Sequence, residues 1–179
     1  MVTSDEDLAQ AAARGDSAAF AVLVRRHYDG IFRLAWRLLG NRADAEDIAQ
    51  EVCTALPRKL QRFDARAKLS TWLHRVVLNA VRDHLRRQAV RNRAAQGWGE
   101  VTAFRAAEAA ETRAALDWLS GAMSSLAPDL RETAALVLGE DLSHAEAGAV
   151  LGVSAGTVSW RMSAVRKAVR ARAAAEEEL

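Results

Sequence analysis

Apolar residues recur at helical spacing along most of this chain, and that periodicity limits the possible folds more than any other feature of the sequence. Between Ser17 and Leu39 the apolar positions fall three or four residues apart, which places them on one face of a helix. The chain of 179 residues contains only two prolines, so few positions would interrupt such helices. The sequence therefore predicts an all-α protein.

A first group of three helices is predicted before residue 90. The helix just described should end at Gly40, because glycine accepts the left-handed conformation that is common after a helix C-terminus. A second helix should begin at Asp44, a residue type favoured as an N-cap, and should be disturbed or ended by Pro57. A third should begin with Ser70 or Thr71 as its cap. Each helix has one apolar face, so together they predict a small bundle.

A second group of helices is predicted from about Arg113 onward. Pro128 fits the first turn of a helix, where its missing N–H has no helical partner to lose. Farther along, Ser143 and Glu146 form a capping-box sequence, in which each side chain can satisfy the other residue's backbone N–H. Ser154 should then cap the final helix. These helices predict a second small bundle.

The predicted organisation is two small helical bundles joined by a linker, with a helix-turn-helix in the C-terminal bundle. The expected parts are an N-terminal tail (1–13), a first bundle (14–90), a linker (91–112), a second bundle (113–173) and an acidic tail (174–179). Within the linker, Trp98 and Phe104 are expected to cover a neighbouring surface, since aromatic side chains usually find one.

The charges of the chain are strongly segregated, although the net charge is only +2. Residues 58–93 contain 11 Lys or Arg and 2 Asp or Glu, whereas residues 94–153 contain 3 and 9. Residues 154–173 contain 5 basic residues and no acidic ones. Two basic blocks separated by an acidic one suggest contact with a polyanion at two places, although two solvated helix faces would explain the charges equally well.

The stretch 143–164 has the spacing of a helix-turn-helix. The first helix carries a small residue, Gly148, where the second helix must approach closely. Gly152 can adopt the left-handed conformation that the turn requires. Val158, ten residues after Gly148, is placed to fill the core. An ordinary helical hairpin is the alternative, and the five cations of the final helix favour the DNA-binding interpretation.

Residue patterns that mark an enzyme or a metal site are missing from the sequence. The four histidines show no metal-ligand spacing with Cys53, the one cysteine, and neither a phosphate-binding glycine loop nor a nucleophile–base motif occurs. We therefore expect no enzyme activity, catalytic residue, metal or cofactor. The sequence also lacks a secretory signal and an apolar run of ~18 residues, which predicts a cytoplasmic protein.

Three segments, taken in order, resemble a known protein family. The acidic segment 44–52 (DAEDIAQEV) is similar to the polymerase-binding helix of sigma domain 2, and segment 63–87 is similar to the promoter-melting part of that domain. Segment 154–166 resembles the recognition helix of sigma domain 4. Over about residues 14–172 the chain thus resembles the bacterial RNA polymerase sigma factors of the extracytoplasmic-function (ECF) subfamily, within the sigma-70 family.

The resemblance implies a function and a set of partners. Such a protein binds core RNA polymerase, recognises the −35 and −10 promoter elements and promotes strand opening, and thereby regulates transcription initiation. The implied partners are core RNA polymerase, promoter DNA and an anti-sigma factor, without membrane insertion. Domain 2 would correspond to the first bundle, and domain 4 to the second.

The resemblance also implies residue roles by motif. The predicted core polymerase-binding residues are Asp44, Glu46, Asp47, Ile48, Gln50 and Glu51. The predicted −10 DNA-binding residues are Phe63, Ser70, Trp72, His74, Arg75, Asn79, Arg82 and Arg86. The predicted −35 DNA-binding residues are Ser154, Ala155, Thr157, Ser159, Trp160, Arg161, Ser163, Arg166 and Lys167.

Several positions leave alternatives open. Trp72 could be a core residue of the bundle rather than a DNA contact, and Trp160 could pack against the preceding helix. Pro57 stands where the family often has tryptophan, and Cys53 replaces a common aromatic residue. Two other functions also remain: a free-standing regulator that binds DNA only through its helix-turn-helix, and a helical enzyme with an unrecognised site.

Overall fold

The structure, a computed structural model, describes residues 3–95 and 110–177, and within those ranges every regular element is helical. The elements are α1 (Asp5–Ala13), α2 (Ser17–Leu39), α3 (Arg42–Leu60), α4 (Leu69–Ala95), α5 (Ala110–Ser125), α6 (Pro128–Ala134), a π-helical turn (Ala135–Gly139), α7 (His144–Leu151) and α8 (Ala155–Glu177). The predicted all-α fold is confirmed. None of the helices in the described ranges has the combined length and hydropathy needed to cross a membrane.

The N-terminal segment, predicted as a tail, forms helix α1 instead. The Ser4 hydroxyl caps this helix by accepting a hydrogen bond from the Asp7 N–H at 3.1 Å. Asp5 lies 2.7 Å from Arg26 Nη1 and 2.9 Å from His27 Nε2 on α2. Burial favours the neutral form of Asp5, but these hydrogen bonds outweigh it and hold the pKa of the carboxyl below its ordinary value. At nine residues, α1 is too short for helical periodicity to stand out in the sequence. Because so short a helix is marginally stable by itself, its contacts with the rest of the protein stabilise it.

The predicted start of α3 at Asp44 is wrong, and of the two effects predicted for Pro57 the helix does not end there. Its N-cap is Asn41, whose side chain accepts hydrogen bonds from the N–H groups of Ala43 (2.9 Å) and Asp44 (3.3 Å). The helix also continues through Pro57 to Leu60. A proline there removes one backbone hydrogen bond in the last turns, and burial of Leu60, which is 1% exposed, keeps the helix in register.

Helix α4 begins at Leu69, before either of the predicted caps, Ser70 and Thr71. The Leu69 N–H donates a hydrogen bond to the Glu6 carboxylate of α1 at 3.1 Å, so a distant residue provides an acceptor at this helix start. The helix extends to Ala95, beyond the expected start of the linker at 91. The predicted linker residues Trp98 and Phe104 lie outside the described residues.

The capping features predicted for the second bundle are confirmed. Pro128 occupies the first turn of α6. At the start of α7 the Ser143 hydroxyl accepts from the Glu146 N–H at 3.3 Å, and the Glu146 carboxylate accepts from the Ser143 N–H at 3.1 Å. Hydrogen bonds from the Ser143 hydroxyl and backbone lower the pKa of Glu146. The sequence therefore dictates where this helix begins.

The two bundles pack against each other, α4 against α7 and α2 against the π-helical turn. Buried apolar residues of both bundles belong to one continuous cluster. Leu136 of the second bundle is 0% exposed, and Leu78 on α4 is 2% exposed. The face of α4 that includes Leu78 therefore lies against the second bundle, while the opposite face covers the core of the first.

Candidate nucleic-acid interface

Helices α7 and α8 form the predicted helix-turn-helix. A Cβ atom at Gly148 would lie 2.7 Å from the Val153 carbonyl oxygen, so only glycine allows this approach without a shift. The turn reverses at Gly152, whose φ is 72°, a left-handed conformation. Val158 is 0% exposed and fills the space between the helices. These contacts fix how α8 is presented to the outside.

The outward face of α8 is open to solvent. Exposed residues on this face are Ala155, Ser159, Trp160, Ser163, Arg166 and Lys167. Trp160 is 67% exposed, so it does not pack against the preceding helix. In a helix-turn-helix the N-terminal part of the second helix enters the major groove, where hydroxyl and apolar side chains can contact base edges.

Three residues predicted to bind the −35 element make contacts within the protein. The Ser154 hydroxyl accepts a hydrogen bond from the Thr157 N–H at 3.1 Å, and the two side-chain oxygens lie 2.9 Å apart. Arg161 is 3.3 Å from Asp129 on α6, and its side chain is 17% exposed. These contacts position the recognition helix, so we leave Ser154, Thr157 and Arg161 out of the DNA-reading set proposed below.

Three residues predicted to bind the −10 element face the second bundle. Arg82 donates two hydrogen bonds to the Glu132 carboxylate, at 2.7 and 2.6 Å, and these raise the pKa of its guanidinium. Arg75 donates to the Ala149 carbonyl oxygen, with its Nε 3.1 Å away. His74 Nε2 lies 3.7 Å from Glu140 Oε2. The sequence placed these side chains on the polar face of α4 but could not show that they contact the second bundle.

Phe63 and Trp72 form an aromatic pair beside an open pocket. Their ring centroids are 5.4 Å apart with the rings tilted by 53°, and both side chains are half-buried. The pocket has a volume of about 270 Å³. It is lined by Gln10, Ala13, Arg14, Leu60, Gln61, Phe63, Asp64 and Ala65. Gln10 and Ala13 come from α1 and Arg14 is its C-cap residue, so taking 1–13 as a tail hid the part of this site that α1 provides.

The remaining residues predicted to bind the −10 element are exposed on α4. Ser70 and Asn79 face solvent, and Arg86 is 2.8 Å from Asp83 one turn earlier on the same helix. They do not line the pocket beside Phe63. The structure thus separates an aromatic pocket from a set of polar residues along α4.

Helix α3 presents the acidic surface that the sequence predicted. Asp47, Gln50 and Glu51 are exposed and line an open groove, and Glu51 lies 3.0 Å from Arg87 of α4. Glu46 pairs with Arg42 on the same helix at 2.9 Å. Asp44 is half-buried, with its Oδ1 3.6 Å from His84 Nε2.

Ile48 lies in the core, 1% exposed, because α3 buries this face against the rest of the bundle. We therefore leave Ile48 out of the polymerase-contacting set. Among the described residues, no group of three or more His, Cys, Asp or Glu side chains could hold a metal ion.

Comparisons with known proteins agree with this arrangement. Sigma-70 region 2 matches residues 23–91, and sigma-70 region 4 matches residues 122–171. The ECF RNA polymerase sigma factor SigE of Mycolicibacterium smegmatis is 37% identical over 166 residues, which cover 88% of this chain and 64% of that protein. The chain therefore spans slightly less than two thirds of that relative.

Two further proteins are similar over nearly the whole chain. The ECF RNA polymerase sigma factor SigM of Mycobacterium tuberculosis is 34% identical, over 91% of this chain and 81% of that protein. The solved structure of CnrH in complex with the cytosolic domain of CnrY aligns with a TM-score of 0.73 and 29% identity, over 97% of this chain and 99% of that one.

Proposed function

The chain belongs to the ECF sigma factors of the sigma-70 family, and we propose that it binds core RNA polymerase and directs it to promoters. In this function α8 reads the −35 element, while α4 and the pocket beside Phe63 open and hold the −10 element. The protein lends its specificity to the polymerase, which carries out the chemistry. We place it in the cytoplasm, where its DNA and polymerase partners are found.

One observation carries this proposal: a helix-turn-helix with an open reading face occurs in one chain with an acidic surface on α3 and an aromatic pocket beside a cationic helix. A free-standing regulator needs only the helix-turn-helix. Stacking surfaces next to cations are what capture of a single strand requires, and base–aromatic stacking is worth about 1–3 kcal/mol per base. The combination therefore favours an initiation factor.

Run-off transcription with purified core RNA polymerase tests the proposal. We expect core polymerase to start at defined positions on a genomic template only when the protein is added. A free-standing regulator would change transcription only from a holoenzyme that already contains another sigma factor. An enzyme unrelated to transcription would have no effect on either reaction.

We assign polymerase docking to Asp47, Gln50 and Glu51. Their side chains are exposed together, and carboxylates are suited to a basic partner surface. Combining Asp47→Arg with Glu51→Arg should therefore abolish both run-off transcription and co-elution with core polymerase.

A matched control reverses the same number of charges elsewhere on the first bundle. The exposed residues Asp7 and Asp29 lie on α1 and α2, outside the α3 groove. Combining Asp7→Arg with Asp29→Arg should leave co-elution intact. Equal losses in both double variants would show that the assigned surface is not the docking surface.

We assign capture of an unpaired −10 base to the pocket beside Phe63. An extruded base recovers its unstacking cost through stacking and hydrogen bonds in a pocket. Phe63 offers the stacking surface, and the Gln10 amide can both donate to and accept from a base edge. Arg14, at the same pocket, suits a phosphate. Asn79 and Arg86 lie exposed on α4, where they can contact the displaced backbone.

We assign −35 reading to Ser159, Trp160 and Ser163, with Ala155 beside them. Hydroxyl groups can bond to any base edge, and an indole can contact a thymine methyl group. Arg166 and Lys167, farther along α8, suit phosphates, which bind without sequence preference.

We also propose that the chain binds an anti-sigma factor, in a complex similar to that of CnrH with the cytosolic domain of CnrY. The support is the similarity to CnrH over nearly the whole length of both chains. Pull-down with a candidate partner's cytosolic domain, followed by run-off transcription, tests this: the bound protein should no longer support initiation.

A further inference from the structure

The pocket beside Phe63 is built from two separate segments of the chain. Helix α1 and its C-cap provide Gln10, Ala13 and Arg14, and the rest of the lining comes from segment 60–65. The match with sigma-70 region 2 covers the second segment but begins only at residue 23. The match therefore gives no role to the part of the pocket that α1 provides.

Helix α1 is packed against the first bundle, so its pocket side has a fixed position. Leu8, Ala9 and Ala12 are at most 7% exposed and belong to the core. Asp5 pairs with two side chains of α2. Gln10 is exposed, and it projects from a helix that these contacts hold in place. A group held on a packed helix is positioned more precisely than one on a loop.

Glu6 connects α1 to the loop that carries Phe63. This loop, residues 61–68, ends where α4 begins, and the Leu69 N–H at the start of α4 donates to the Glu6 carboxylate at 3.1 Å. Within the loop Ala65 has a φ of 56°, a left-handed conformation that is costly for a residue with a Cβ atom. Such a conformation persists only where the surrounding contacts hold it. We therefore expect loss of the Glu6 contact to loosen the loop.

Among the polar groups around the pocket, the Gln10 amide is the one best suited to a base edge. The Asp64 carboxylate is engaged within the loop, since it accepts from the Arg66 N–H at 3.2 Å and lies 3.2 Å from Arg66 Nε. Gln61 belongs to the loop itself. The Gln10 side chain makes no hydrogen bond within the part of the chain that the structure describes. An amide has one carbonyl acceptor and two N–H donors, so it can pair with two adjacent groups of a base.

We propose that α1 is a specificity element of the −10 site, in which Gln10 contacts the edge of the captured base and Glu6 is a positioning residue for the loop. Stacking on Phe63 is tolerant of sequence, because every base has a π-face. Contacts to base edges distinguish the bases by their donors and acceptors. The inference rests on the proposed capture of a −10 base. It adds which segment of the chain determines the preferred base.

Open complexes on four matched templates test the role of Gln10. The templates carry each of the four bases at the −10 position where a substitution changes wild-type opening most. Gln10→Glu keeps the side-chain length but leaves only acceptors, which suit the amino groups of cytosine, adenine and guanine and repel the carbonyl oxygens of thymine. We expect opening on the thymine template to fall about tenfold relative to the other three. Gln10→Ala should reduce the differences among all four templates.

Permanganate reactivity of thymines elsewhere in the bubble measures opening on each template. Gln88→Glu is the control for added charge, because it makes the same change of an amide to a carboxylate on α4, outside the pocket. It should leave the order of preferred bases as in the wild type. Binding to a −35 duplex verifies that each variant is folded.

A pair of substitutions at Glu6 tests the positioning role. Glu6→Ala removes the acceptor for the Leu69 N–H, whereas Glu6→Gln keeps an acceptor oxygen without the charge. We expect Glu6→Ala to lower opening several-fold on all four templates and to weaken the base preference. Glu6→Gln should restore the wild-type order of bases. Both variants should bind the −35 duplex and core polymerase as the wild type does.

Three results would overturn the inference. The first is an unchanged order of bases in both Gln10 variants. The second is a thymine-specific loss in Gln61→Glu and not in Gln10→Glu, which would assign base reading to the loop. The third is a Glu6→Gln variant that behaves like Glu6→Ala, which would remove the positioning role. Failure of the proposed function looks different: core polymerase would not initiate with the wild-type protein, or Phe63→Ala would leave open complexes at the wild-type level.

Discussion

The two helices that we expect to meet DNA, α4 and α8, differ in what surrounds their polar faces. On α4, Arg75 and Arg82 are engaged by acceptors from the second bundle. On α8, Ser159, Trp160 and Ser163 are open to solvent. Both helices have one apolar face and many cations, so they look alike in sequence. Charge patterning thus identifies surfaces that suit DNA, but tertiary packing decides which of their side chains are engaged by partners within the protein.

The same contrast occurs within α8. Arg161 lies against Asp129 and is largely covered, whereas Arg166, five residues later, is exposed. Both arginines would bind a phosphate equally well in isolation. Arg161 is a positioning residue because Asp129, about thirty residues earlier in the chain, contacts it. Arg166 is exposed and therefore stays a candidate DNA contact.

The largest expected effect is the loss of open complexes when the pocket beside Phe63 is altered. It tests whether the two bundles differ in function as well as in packing. If the first bundle opens DNA and the second only binds it, Phe63→Ala should reduce open complexes by about 100-fold, since loss of base stacking costs about 1–3 kcal/mol and the pocket loses its wall. Permanganate reactivity of unpaired thymines measures this, and binding to a −35 duplex should be unchanged. A premelted template should restore most of the activity, because the unpairing cost has then been met.

The control for Phe63 is a second phenylalanine–tryptophan pair in the same bundle. Phe32 and Trp36 on α2 stack with ring centroids 6.1 Å apart, and Phe32 is half-buried like Phe63. Phe32→Ala should lower stability without a specific loss of permanganate reactivity. If the two variants lose open complexes equally, Phe63 acts through packing and not through a captured base.

The sequence predicted the helix-turn-helix in detail but missed the contacts between distant segments. The Ser143 and Glu146 cap, the turn at Gly152 and the buried Val158 all follow from local rules on capping, glycine conformation and periodicity. By contrast, Glu6 provides an acceptor for the start of α4 from more than sixty residues away. No local pattern encodes such a contact.

The site was predictable to a similar degree. The exposed acids of α3 and the outward residues of α8 lie where helical periodicity and family resemblance put them. Ile48 was misplaced because its acidic neighbours obscured its position on the buried face. Gln10 in α1 and Arg14 at its C-cap were missed because α1 shows too little periodicity to be recognised, although it lines the pocket.

Two glycines, one in each bundle, allow the effect of an added methyl group on stability to be compared. The expected changes in the free energy of unfolding are intermediate in size. Gly148→Ala should destabilise the protein by about 2 kcal/mol, because the new Cβ would meet backbone and the α7–α8 approach would have to widen. That Cβ would lie 2.7 Å from the Val153 carbonyl oxygen. Urea unfolding measures the change, and binding to a −35 duplex should fall with it.

Gly30→Ala is the matched control in the first bundle. Gly30 lies inside α2, and a Cβ there would meet nothing within 4 Å. The substitution should stabilise the protein by about 0.5–1 kcal/mol through helix propensity. A stabilising Gly148→Ala would contradict the close helix approach that defines the helix-turn-helix.

The smallest expected effects would distinguish residues of α8 that contact bases from residues of α8 that contact phosphates. Ser159→Ala and Ser163→Ala should change which −35 sequences are preferred, at about 1 kcal/mol per lost base contact. Arg166→Ala should weaken binding evenly across sequences and make the slope of affinity against salt shallower, because one fewer counterion is released. Binding to a library of randomised −35 duplexes at two salt concentrations measures both properties at once. A preference profile that stays the same in the serine variants but changes in Arg166→Ala would reverse these roles, and base reading would then have to be assigned to the C-terminal part of the exposed face.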